Sequence, residues 1–162
     1  LSNAWDYRSG DEQRVNAQVR LAFDNKQDAH LGMPLPKGIV RVYKDDSGGR
    51  AQFVGEDEIE HTPNNEVVRL QLGQAFDVTA RSRQTDFEKI ADNTYELAFA
   101  VEIKNAKKVP IVATVLETVP GTWKMLSESL KHDSPNSNQA QWQVPVPAEG
   151  SAELTYRVRV KF

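Results

Sequence analysis

The sequence predicts an all-β protein, an antiparallel β-sandwich of roughly nine or ten strands. Three observations carry that prediction. Apolar and polar residues alternate with a period of two in segment after segment, as in Tyr95, Leu97, Phe99, Val101 and Ile103, which is the pattern of a strand with one buried face. Turn-forming residues punctuate the chain about every ten residues, among them Asp45-Asp46-Ser47-Gly48-Gly49, Pro120-Gly121 and Asp133-Ser134-Pro135-Asn136. No stretch shows the three-and-four spacing of a convincing amphipathic helix.

Residues 13–23 give the first predicted strand, with Val15, Ala17, Val19, Leu21 and Phe23 in phase. A polar connection over 24–30 leads into Leu31-Gly32-Met33-Pro34-Leu35-Pro36-Lys37-Gly38. Its prolines cannot donate to a ladder, so an extended loop is expected there. Residues 39–44 and 50–54 are predicted to form a hairpin about the turn at 45–49, whose aspartates and glycines tolerate positive φ. Residues 55–61 are read as an acidic connection and 62–65 as a turn with proline at its second position. A strand over 66–72 carries Val68, Leu70 and Leu72 on one side, and after a bend at 73–75 another strand over 76–83 carries Phe76, Val78 and Ala80. Residues 85–93 fit a short helical turn or a loose loop equally well.

In the second half, residues 93–104 form the clearest strand, followed by a tight polar connection at 105–108. Residues 109–119 are apolar on both faces, which predicts an inner strand. Trp123, Met125 and Leu126 begin a less regular strand, and residues 133–138 are read as loop. Ala140, Trp142, Val144 and Val146 alternate again, as do Ala152, Leu154, Tyr156, Val158, Val160 and Phe162. Taken alone, residues 93–162 fit an immunoglobulin-like or fibronectin-like layout.

The length of 162 residues fits about one domain. Ser2-Asn3-Ala4 reads as the remnant of a cleaved tag, so Leu1 to Ala4 are set aside and residues 5–162 are expected to be one module, the C-terminal fragment of a longer protein. Lysine and arginine number 20 against 23 acids, which leaves no basic stripe for nucleic acid. The chain has no cysteine, which excludes disulfides, thiolate catalysis and cysteine-ligated zinc. No apolar run approaches the ~20 residues of a membrane span, so no membrane insertion of this segment is expected.

The candidate metal site is the acidic run Glu56, Asp57 and Glu58 with His61, since clustered carboxylate oxygens suit a hard cation such as calcium and an imidazole adds a nitrogen. The competing reading is a solvated segment whose charges discourage edge pairing. The turn at 45–49 has the same ligand types, although a hairpin needs them in any case. Trp123, Trp142, Tyr43 and Tyr95 are the aromatics available for a sugar or peptide platform. Trp142 is in phase with Val144 and Val146 and is expected in the core, which leaves Trp123 as the ligand-facing candidate. Tyr156 is read as a corner tyrosine bonding backbone, and His30 and His132 as exposed. No catalytic residue is assigned: there is no Gly-x-Ser-x-Gly elbow, and with 23 acids some pair of carboxylates meets the glycosidase spacing by number alone.

An ordered set of short motifs resembles the bacterial domain of unknown function 4139 family. It comprises Pro34-Leu35-Pro36-Lys37-Gly38 with Val40-Arg41-Val42-Tyr43, Gly55-Glu56-Asp57, His61-Thr62-Pro63, and Leu72-Gly73 with Ala75-Phe76-Asp77. It continues with Trp123 after Pro120-Gly121, Trp142 with Val144-Pro145-Val146-Pro147, and Leu154-Thr155-Tyr156-Arg157-Val158. The likeness runs from about Val15 to the C-terminus. It implies a β-rich module at the C-terminal end of a longer, exported bacterial protein, in the periplasm or outside the cell, and brings no activity with it. The expected function is therefore a non-catalytic structural or protein-interaction module with a protein or cell-envelope partner. The alternatives are a carbohydrate-binding module using Trp123 and calcium, and a metal-assisted hydrolase at the Glu56 to His61 run.

Overall fold

The computed structural model describes residues 12–45 and 48–162. The fold is all-β and antiparallel, with ten strands among the described residues: β1 (Glu12–Asp24), β2 (Gly38–Asp45), β3 (Ala51–Ile59), β4 (Val67–Ala91), β5 (Thr94–Asn105), β6 (Ile111–Thr118), β7 (Thr122–Glu128), β8 (Asp133–Asn136), β9 (Gln139–Val146) and β10 (Gly150–Lys161). They form a five-stranded sheet in the order β1-β4-β5-β10-β7, a three-stranded sheet β6-β9-β8 and a two-stranded sheet β2-β3. No helix among the described residues is long and apolar enough to cross a membrane. The chain divides into two compact units, Gln18–Ala75 and Phe76–Phe162, the latter with the chain up to Ala17.

In the unit Phe76–Phe162 the sandwich is built from period-two strands whose buried faces meet. Leu97, Phe99, Val101 and Ile103 of β5 and Leu154, Tyr156, Val158 and Val160 of β10 face Trp142, Val144 and Val146 of β9. Trp142 is fully buried and stacks on Tyr156 at 4.7 Å between ring centroids, and Tyr156 stacks on Phe99 at 5.3 Å. On the other face, Glu96 accepts from Arg159 Nε at 2.9 Å and Nη2 at 2.6 Å, while Arg157 bridges Glu96 and Asp86. The hydrogen bond from Arg157 holds the Asp86 carboxyl below its ordinary range.

In the unit Gln18–Ala75 a small core of Ile59, Val68 and Leu70 is lined by Phe23, Leu35, Val40, Val42 and Leu72. Gly55 is buried on the inner side of β3, where an added Cβ would lie 2.5 Å from the Leu72 carbonyl oxygen. A side chain there would force β3 away from β4. Leu35, between Pro34 and Pro36, exchanges two backbone bonds with Thr62 at 2.9 and 3.0 Å, which pins the proline loop to the turn after β3.

One device recurs in both units. Asn25, just after β1, and Asn105, the last residue of β5, are buried amides with every polar atom engaged. Asn25 Nδ2 donates to the carbonyls of Met33 (2.8 Å) and Pro63 (2.9 Å), and its Oδ1 accepts from Gly32 N–H at 3.0 Å. Asn105 Nδ2 donates to Val109 (2.9 Å) and Pro147 (2.9 Å), and its Oδ1 accepts from Lys107 N–H at 3.0 Å. Each amide thus ties the end of one strand to a loop near in sequence and to a proline carbonyl far from it.

Four expectations are corrected. Residues 55–59 belong to β3 and not to a connection, because Gly55, Asp57 and Ile59 alternate inward against exposed Glu56 and Glu58. That period is real, but its inward members are a glycine and an aspartate. Residues 67–91 form one strand where two strands followed by a short helical turn or a loose loop were expected. Register shifts between Gln84 and Asp86 and between Lys89 and Ala91 break the apolar period while pairing with β5 persists. Asp133–Asn136 is a short strand on β9, supported by Asn136 Nδ2 donating to Gln139 Oε1 at 2.7 Å. Finally, β6, expected as an inner strand, has β9 as its one strand neighbour among the described residues.

Asn105→Ala would leave two carbonyls and one N–H without their partner, so it should cost about 3 kcal/mol. Asn105→Asp, which is isosteric but aims a carboxylate at those carbonyls, should cost at least as much. Urea denaturation at neutral pH checks both, and an Asn105→Asp variant as stable as the parent would contradict the assignment.

Candidate functional site

The acidic run lies along β3 and the turn after it, where each member already has a partner of its own. Arg41 on β2 is opposite Glu56 in register, and its Nε lies 2.9 Å from Glu56 Oε2; the carboxylate raises the guanidinium pKa through that bond. Asp57 points inward, and its two oxygens accept Glu58 N–H at 2.9 Å and Gln71 N–H of β4 at 2.7 Å. It acts as a clasp between β3 and β4. Lys37 approaches Glu58 at 3.6 Å and Glu60 at 2.8 Å, and its backbone N–H donates to His61 Nδ1 at 3.3 Å. Period-two geometry sends Glu56 and Glu58 to one face and Asp57 to the other. Among the described residues no group of three or more His, Asp or Glu side chains converges at metal-ligand spacing. Part of the turn at 45–49 lies outside the described residues.

The histidine was expected to be solvated at position 132, and the structure instead places it in a half-buried polar cluster of the sandwich unit. Glu128, at the end of β7, receives three donors on Oε2: Trp142 Nε1 at 2.9 Å, His132 Nδ1 at 2.9 Å and His132 N–H at 3.1 Å. The His132 ring lies between the indoles of Trp123 (5.6 Å) and Trp142 (6.0 Å). Trp123 is half-buried, and its indole N–H donates to the Ser137 carbonyl at 2.9 Å. A carboxylate that fixes an imidazole at Nδ1 is the orienting half of a general-base pair. Among the described residues, however, the His132 ring bonds Glu128 and no hydroxyl. The chemistry on view is cross-linking: one carboxylate joins β7, β9 and the loop between β7 and β8.

A second buried carboxylate escaped the sequence reading altogether. Glu117 of β6 points into the sandwich, and burial pushes its carboxyl up to about 7, opposed by the Tyr156 hydroxyl that favours the ionised form. Burial likewise raises the Tyr156 phenol well above its ordinary range. The tyrosine expected to bond backbone faces this carboxyl. A signal was present: Glu117 is in phase with Ile111, Ala113 and Val115 on the strand's inward side.

The aromatics proposed as a platform are dispersed. Trp142 is core, Trp123 covers His132, and Tyr95 stacks on Phe87 at 5.8 Å. Tyr43 of β2 meets Phe53 of β3 edge-on at 5.7 Å on the outer face of the hairpin. Both rings remain more than half exposed, at 55% and 57%, with Ile39 at 63% on the same side of β2. Comparison of the chain with family models, with curated proteins and with solved structures returned no match.

Glu117 titrates near 4.5 when unfolded and near 7 when folded. The native state therefore holds an extra proton between those values, and the group's contribution to stability is greatest below pH 4.5 and lost as pH rises through 7. Glu117→Gln should match the parent near pH 4 and exceed it by on the order of 3 kcal/mol at pH 8. Urea denaturation across that range checks it, and a difference that does not change with pH would contradict it.

Proposed function

We propose that this chain is a non-catalytic protein-interaction module of an exported bacterial protein, working through the outer face of the β2–β3 hairpin. The observation that carries the reading is the exposed cluster of Ile39, Tyr43 and Phe53 around the Arg41–Glu56 pair. Aromatic rings and arginine are the residue types enriched at the centres of protein interfaces. A tyrosine presents a large rigid surface with a polar tip, at small entropic cost on binding. The register shift between Val42 and Tyr43 adds to this face by turning Val54 outward. A bulge of that kind re-aims side chains at sheet edges.

The carboxylates support the same reading from the other side. Those of β3 are held by Arg41, Lys37 and the Gln71 amide, and Glu128 is held by His132 and Trp142. Such commitments position strands. The export and the cell-envelope setting rest on the family resemblance of the motifs given above.

The test is capture from a cell-envelope extract by the immobilised protein and by a Tyr43→Ser/Phe53→Ser variant matched in melting temperature. Specific proteins retained by the parent should fall at least tenfold on the variant. Equal retention by both, or none by either, would count against the proposal.

A further inference from the structure

The chain has no cysteine and two methionines, so its sulfur chemistry rests on Met33 and Met125. The fold treats the two in opposite ways. Met125 lies on β7 opposite Val158 of β10, on the inward side of the sheet; Val158 is 1% exposed and Met125 is half-buried. Met33 stands between β1 and β2 and is 65% exposed. A thioether is a soft nucleophile that two-electron oxidants convert to the sulfoxide, and access to the sulfur decides which methionine reacts.

The setting of Met33 separates its side chain from the work of its backbone. Gly32 N–H donates to Asn25 Oδ1 at 3.0 Å, and the Met33 carbonyl accepts Asn25 Nδ2 at 2.8 Å. Two residues further on, Leu35 exchanges backbone bonds with Thr62 at 2.9 and 3.0 Å. The loop is thus held on both sides of Met33 through main-chain atoms, while the thioether projects into water. Oxidation turns a flexible apolar side chain into a polar one. At Met33 water meets the new oxygen and every bond that holds the loop is kept. At Met125 the same oxygen would sit on the inward side beside Val158, where a polar group without a partner is costly.

We propose that Met33 is a reversible oxidation site, which takes an oxygen atom from a peroxide and yields it to a thiol-dependent methionine sulfoxide reductase while the fold stays intact. In the forward step a sulfur lone pair attacks one peroxide oxygen, and the O–O bond breaks as the S–O bond forms. Sulfur gives up two electrons, and the leaving hydroxide takes the proton of the transferred oxygen and departs as water. In the return step two thiols supply two electrons and two protons, the sulfoxide oxygen leaves as water, and the thiols end as a disulfide. Both thiols belong to the reductase, since this chain has none. The sulfur that the fold can see oxidised without loss is the exposed one, and the sulfur it needs apolar is sheltered. This site is separate from the β2–β3 face, and either can be true without the other.

The test treats the whole protein with hydrogen peroxide under native conditions and follows each methionine by peptide mass. Met33 should be oxidised at least about tenfold faster than Met125. Protein oxidised at Met33 alone should keep the melting temperature of the parent. The two reductases, one for each sulfoxide epimer, should together return the folded protein to its original mass in the presence of a dithiol. Met33→Leu should remove the fast phase and leave the rate at Met125 unchanged. A smaller ratio between the two methionines, a lower melting temperature after oxidation at Met33, or a sulfoxide that the reductases reach only in denatured protein would each overturn the proposal.

Discussion

A buried side-chain amide that must satisfy three backbone groups at once is the constraint on which each unit depends. A chain leaving a strand exposes carbonyls and N–H groups that the ladder no longer pairs, and burying them unpaired is costly. Asn25 and Asn105 solve that problem in the same way, each with two donated bonds and one accepted bond of 2.8 to 3.0 Å. The partner carbonyls at Pro63 and Pro147 belong to segments 38 and 42 residues away in sequence. A single planar group therefore fixes the path of a loop and closes a long-range contact together. Only an amide supplies both two donors and an acceptor in one plane.

Around these amides the remaining polar groups are matched in the same manner. Glu128 gathers His132 and Trp142, Asp57 gathers the amides of Glu58 and Gln71, and Glu96 gathers Arg157 and Arg159. No buried side-chain nitrogen or oxygen among the described residues lacks a partner. A fully satisfied polar network specifies one arrangement because any alternative leaves a group unpaired in low dielectric. Against that background the fold leaves an apolar cluster outward at Ile39, Tyr43 and Phe53 on β2–β3. The proposed interaction role rests on that exposed cluster.

The class of fold was legible because period two is written in side chains: β9 and β10 place their buried residues where alternation puts them, as β5 does with Leu97, Phe99, Val101 and Ile103. It became illegible where something other than an apolar side chain held the strand. Residues 85–91 are all exposed and are strand through backbone pairing with β5 across two register shifts. Gly55 and Asp57 occupy inward positions where an apolar residue would have announced β3. Apolarity on both faces of β6 does not tell how many strands flank it, and among the described residues the structure pairs it with β9 alone. The acidic run was visible as a cluster in sequence, yet its partners Arg41, Lys37 and Gln71 come from other elements, and no spacing reveals them. Asn25 and Asn105 looked like loop residues because polarity predicts exposure unless distant carbonyls converge, and that convergence is a property of the fold.

Hydrogen exchange at two loop amides shows whether the buried asparagines hold their loops. Gly32 and Lys107 lie outside the strands, and each donates its N–H to the Oδ1 of a buried asparagine. Under native conditions both should exchange at the slow rates of the strand amides around them, opening only when their unit opens. Exchange of Gly32 and Lys107 as fast as an unbonded loop amide would show that the asparagines do not hold the loops, and would contradict the account.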